Sequence, residues 1–115
     1  MDMDLDKHFS SRNYKLNEQG EPVPCSGLMD WAMWFESSEN QRIVARDEIG
    51  DVRVSTIFLG LDHNWRLEGP PILWETMTFG GGIEQECERC AGSREQALAM
   101  HATVLAHVRE ALRKP

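Results

Sequence analysis

Glu75 and His101 are the two residues of this chain most able to do acid–base chemistry. Glu75 lies in the β-rich run Ile72–Phe79, on the strand face shared by Leu73, Met77 and Phe79. His101 lies at the centre of an apolar stripe near the C-terminus. If that strand face is the core, a carboxylate and an imidazole both lie inside, and each is costly to bury alone. Paired, they satisfy each other. Such a pair either pins a helix to a sheet or works as general acid and base. His63, in Asp62-His63-Asn64, is the third candidate, because loops at strand ends carry active residues. Asp and Asn in such a loop are also ordinary turn formers. An enzyme built on this chain, metal-dependent or acid–base, would use Glu75, His101 and His63.

Cys87-Glu88-Arg89-Cys90 is a C-x-x-C, half of a zinc site. Cys25, His63, His101 or His107 would have to complete it. On a strand Cys87 and Cys90 point to opposite faces, so the plainer expectation is two reduced thiols. Cys25 makes the cysteine count odd, and no secretion signal precedes it, which argues against a disulfide framework. Glu84, Glu86 and Glu88 alternate. On a strand they would stand on one face at about 6.7 Å intervals, either guarding an edge by charge or imitating a nucleic-acid backbone. There is no G-x-S-x-G, no H-E-x-x-H and no dinucleotide fingerprint, and Gly80-Gly81-Gly82 lacks the lysine and helix of a P-loop. No cofactor is expected.

The elements that position these residues centre on Asp51–Gly82. Val52–Leu61 is apolar on both faces, the mark of a central strand. Gly50-Asp51 joins it by a two-residue hairpin to a strand over Gln41–Ile49. Asp62–Pro70 leads to the strand Ile72–Phe79, and the triple glycine leads to a polar edge strand over Ile83–Cys90. Ser93-x-x-Gln96 is a capping box that opens the C-terminal helix. That helix is expected to bury Ala97, Leu98, His101, Leu105 and Val108, with Arg109, Arg113 and Lys114 at its negative end. Upstream, Tyr14–Leu16 and Glu21–Pro24 read as a short hairpin around Gly20. A first helix runs from about Gly27 to Ser37, with Ser26 as its cap and Asp30 in the first turn. Helical spacing puts Leu28, Trp31, Ala32 and Phe35 on one face, with Met29 and Met33 beside it and Trp34 pointing away. A helix apolar nearly all round is buried on several sides or faces a partner. The fold class is α+β: an antiparallel meander of three to five strands, a long C-terminal helix on one face and a short N-terminal helix. Residues 1–13 read as a flexible arm and 14–115 as one domain.

The 115 residues carry a net charge of −7, distributed as −5 over residues 1–40, −2 over 41–80 and zero over 81–115. An acidic chain without a basic patch is a poor ligand for nucleic acid or an anionic membrane. A protein with a basic surface is the more natural partner. The expected contacts are Met33 and Trp34 as anchors, with Glu84, Glu86 and Glu88 as steering charges. No apolar run is long enough for a membrane span, and the expected location is the cytoplasm.

From Tyr14 to about Leu112 the chain resembles small uncharacterised accessory proteins of tailed phages and prophages. The resemblance is carried by Gly50-Asp51-Val52, Phe58-Leu59-Gly60-Leu61-Asp62-His63-Asn64, Gly69-Pro70-Pro71, Glu75-Thr76-Met77, Phe79-Gly80-Gly81 and Glu88-Arg89. In those proteins a tyrosine tends to follow the Glu-Arg pair, where this chain has Cys90. The resemblance implies an accessory protein acting in a bacterial host, with no catalytic role. With the acidity, it points to a non-enzymatic binder of a host protein, such as an anti-CRISPR-like inhibitor of a nucleic-acid-binding defence complex.

Overall fold

The computed structural model describes residues 12–66 and 68–113; most of the expected arm, residues 1–11, lies outside them. Arg12 and Asn13 are already tied down. Asn13 bridges Leu61, and the Asp62 N–H donates to the Arg12 carbonyl at 2.8 Å.

The fold is α+β. β1 (Tyr14–Leu16) and β2 (Pro22–Pro24) form a small antiparallel hairpin. Helix α1 (Leu28–Ser37) and the single turn α2 (Glu39–Arg42) follow. Then β3 (Ile43–Ile49), β4 (Val52–Phe58), β5 (Ile72–Gly80) and β6 (Cys87–Ala91) make an antiparallel meander in sequence order. The chain closes with α3 (Arg94–Arg113). Among the described residues no helix is long and apolar enough to cross a membrane.

Three strand boundaries differ from expectation by more than one residue, the first being that β4 ends at Phe58 instead of Leu61. α2 takes residues Glu39–Arg42, so β3 begins at Ile43. Arg42 closes this corner by donating from Nη2 to the Phe35 carbonyl at 3.1 Å. β6 begins only at Cys87, because Gly80, Gly81 and Gly82 all have positive φ and carry the chain out of the sheet. A Cβ at Gly80 would stand 2.7 Å from the Asp51 carbonyl oxygen, so only glycine fits there. Gly50, at φ 59°, makes the expected tight turn between β3 and β4.

The cross-strand register decides which face is inside. Val52, Val54, Thr56 and Phe58 of β4 stand opposite Gly80, Thr78, Thr76 and Trp74 of β5. This is the face that α3 covers with Ala97, His101, Val104 and Val108, all buried. One cluster joins Val52 and Val54 to Val104 and Val108; a second joins Phe58, Leu73 and Trp74 to Ala97. Leu98, expected inside, is 41% exposed, and Leu105 only lines the first cluster. The helix start is as expected. The Gln96 N–H donates to Ser93 Oγ at 3.3 Å, and the Ser93 N–H donates to Gln96 Oε1 at 2.9 Å.

α1 is turned differently from the expected face. Trp31, Trp34 and Phe35 are half-buried, while Leu28, Ala32, Met29 and Met33 face solvent. The reason is polar. The Trp31 indole N–H donates to the carbonyls of Tyr14 at 3.0 Å and Gly60 at 2.9 Å. An inward indole needs such an acceptor, and finding two sets the rotation of the helix. Trp34 packs edge-on against Phe58. Gly27, rather than Ser26, is the residue before the first turn, and no side chain caps it.

Candidate functional site

His101 does not meet Glu75. It completes a line of polar atoms running from β3 through α3 to β4 and β5. His101 Nε2 lies 2.8 Å from Asp47 Oδ2, and Nδ1 lies 2.6 Å from Thr56 Oγ1, which is 2.5 Å from Thr76 Oγ1. A carboxylate only accepts, so Nε2 carries the proton toward Asp47. In the neutral ring Nδ1 then accepts from the Thr56 hydroxyl, and Thr56 accepts from Thr76. Hydroxyl, imidazole and carboxylate stand in the order of a nucleophile, its base and its orienting acid. Thr56 and Thr76 are 0% exposed and His101 is 4% exposed. α3 seals the hydroxyls from any substrate, so the line acts as a pin between helix and sheet. Asp47, Thr56 and Thr76 escaped the sequence reading. The available signal was the alternation Val52, Val54, Thr56, Phe58, which places a hydroxyl in an apolar row.

Glu75 lies on the other sheet face with Met77 and Phe79, opposite Ile57 and Arg89. It is buried, and Arg89 Nε donates to its Oε2 at 2.7 Å. That carboxylate holds the Arg89 guanidinium above its ordinary range through the hydrogen bond and its charge. The expected Glu75–His101 pair is replaced by two separate pairs on opposite faces, because β5 turns Trp74, Thr76 and Thr78 toward α3 and leaves Glu75, Met77 and Phe79 on the other face.

Cys87 stands opposite Met77 and Cys90 opposite Trp74, so the two thiols leave the sheet on opposite faces and cannot share an ion. Burial raises Cys90 above the usual thiol range. Cys87 is raised by burial and then by the Glu75 charge, with Arg89 pulling the other way. A raised thiol is a poor metal ligand and nucleophile. Among the described residues no group of three His, Cys, Asp or Glu side chains converges as a metal site.

In Asp62-His63-Asn64 the acid and amide are turn formers. Asp62 Oδ1 accepts from the N–H groups of Asn64 at 2.7 Å and Ile72 at 2.9 Å. Asn64 Nδ2 donates to the carbonyls of Glu68 and Pro70. His63 is half-buried and packs edge-to-face with Trp65. The hydrogen bonds of His101 go to Thr56 and Asp47 and not to His63.

The carboxylate row is not spaced by a strand. Glu84 is exposed in the loop before β6, Glu86 lies 3.2 Å from His107 Nδ1, and only Glu88 is on β6. Of the two aromatic-helix anchors, Met33 is 64% exposed and Trp34 is half-buried on Phe58. The exposed face of α1 instead adds Leu28 at 69% and Met29 at 72%. These two were missed because apolar spacing alone could not show which aromatic needed an internal acceptor.

No protein-family model, curated protein or solved structure matches this chain.

Proposed function

We propose that this chain is a protein-binding accessory module that docks the outer face of α1 on a basic protein. The observation that carries this reading is the exposure of Leu28, Met29 and Met33 on α1, each about two-thirds open to solvent. Exposed apolar clusters of this kind favour interaction, and methionine adapts to irregular partner surfaces. Charge selects the partner's chemistry. Asp30, Glu36 and Glu39 are the charged residues between Ser26 and Gln41, and none in that stretch is Lys or Arg. A groove that is apolar at its centre and basic at its rim is the complement. A nucleic-acid-handling host protein offers such a rim, which agrees with the resemblance to phage accessory proteins and with inhibition of a defence complex as the role. Glu84 and Glu88 can steer approach, while Glu86 is engaged by His107.

The test is a photo-crosslinker placed at Met33 in bacterial host lysate, followed by purification and titration of the captured protein. The double variant Met29→Asp/Met33→Asp is expected to weaken binding by about tenfold or more, as loss of central anchors does. Its melting temperature should stay unchanged, because both side chains are exposed. An acidic captured protein, equal binding by the double variant, or capture of a second copy of this chain overturns the reading.

A further inference from the structure

Trp65 is the most exposed large aromatic among the described residues, at 70%, and it stands on a loop held by side-chain hydrogen bonds. Asp62 and Asn64 staple that loop from inside, and the Arg66 N–H adds a bond to Asn64 Oδ1 at 3.1 Å. The Arg12 guanidinium sits 4.2 Å from the Trp65 ring and is itself fixed by Nη2 donating to the Asp62 carbonyl at 2.8 Å. One side of the indole is thus covered by a cation and His63 packs edge-to-face with the ring, yet Trp65 stays largely exposed. Beside it lies a cleft of about 670 Å³ lined by His63, Trp65, Arg66, Pro70, Ile72 and Arg89. That is within the roughly 300–1,000 Å³ usual for small-ligand sites.

We infer that this cleft binds a small anion bearing a planar ring, of the nucleoside monophosphate class. The base stacks on Trp65, backed by the Arg12 cation, as aromatic platforms hold nucleobases. The phosphate lies between Arg66 and Arg89. Arg89 uses Nε on Glu75, and its two terminal nitrogens are not part of that bond. No described carboxylate lies within ion-pair distance of Arg66. Glu68 lines the same cleft and supplies an acceptor for a ring N–H or a sugar hydroxyl. Net charge sets the size of the ligand. At −7 the molecule repels a polyanion at long range, while one phosphate meets two guanidinium groups at short range.

Calorimetric titration with AMP, adenosine, inorganic phosphate and oligothymidylate tests this. AMP should bind more tightly than adenosine or phosphate alone. Trp65→Ala should weaken AMP by roughly 10- to 100-fold, the usual range for losing a stacking platform, and Trp65→Phe should retain most of the affinity. Arg66→Ala should weaken AMP and leave adenosine unchanged. Both positions are exposed, so unchanged melting temperatures confirm that the variants fold. Absence of AMP binding up to about 10 mM, a range that reaches even very weak sites, overturns the inference. So does wild-type AMP affinity in Trp65→Ala, phosphate binding as tight as AMP, or oligothymidylate binding more tightly than AMP.

Discussion

The line Thr76, Thr56, His101 and Asp47 is vulnerable at its middle, where the Thr56 hydroxyl meets both Thr76 and His101. Thr56→Val keeps the side-chain shape and removes the hydrogen-bond partner of both His101 Nδ1 and Thr76 Oγ1. The expected cost is about 1–3 kcal/mol, the penalty for stranding buried polar groups. Asp47→Asn keeps an acceptor oxygen at the half-exposed end of the line and should cost less. Urea unfolding of the two variants checks the order; a neutral Thr56→Val would mean the hydroxyl line does not hold α3. The thiols give a pH prediction. Because burial raises Cys90 in the folded chain, the unfolded thiol ionises first as pH climbs. Its contribution to stability is therefore intact below the ordinary thiol range and is lost as pH rises through the raised folded value. Iodoacetamide at mildly alkaline pH should label Cys90 more slowly than a free thiol standard, and equal rates would show that the strand does not shelter it.

At the scale of elements, α3 is held by small buried side chains instead of by leucines. Val104 is 1% exposed and contacts Val52 and Val54, whereas Leu98 is 41% exposed. Val104→Ala should cost roughly 1–3 kcal/mol from lost burial and a cavity, while Leu98→Ala should stay below about 0.5 kcal/mol. Chemical denaturation decides; the reverse order would mean the helix is rotated on the sheet. Polar contacts at both sheet edges set that rotation, with His101 reaching Asp47 on β3 and His107 reaching Glu86 just before β6. α1 follows the same logic, since the indole of Trp31 bridges β1 and Gly60 and turns its neighbours Met29 and Met33 outward.

For the whole molecule, the negative charge is concentrated in the first forty residues, which include α1. If α1 docks on a basic rim, Glu36→Lys should slow association and flatten its salt dependence, while dissociation changes little. Stopped-flow kinetics with the captured partner at two salt concentrations measures this. Salt-independent association that ignores the reversal would leave an interface held by Leu28, Met29 and Met33 alone.

The sequence by itself determined the α+β class, the meander order, the Gly50 hairpin and the Ser93–Gln96 helix start. Each rests on local chemistry: the apolar row Val52, Val54 and Phe58 in β4, a glycine at positive φ, and a reciprocal cap. It also showed that Glu75 and His101 are polar residues in apolar rows. Only the tertiary structure decided whom they meet. Local spacing tells which residues share a strand face, but not which face is covered, and β5 has bulky apolar residues on both: Trp74 on one, Met77 and Phe79 on the other. The pairing of Thr56 with Thr76 and of Phe58 with Trp74 settled it, since a shift of one residue would exchange the faces. The same holds for α1, where the distant carbonyl of Gly60 holds the Trp31 indole and so sets which side of the helix faces inward.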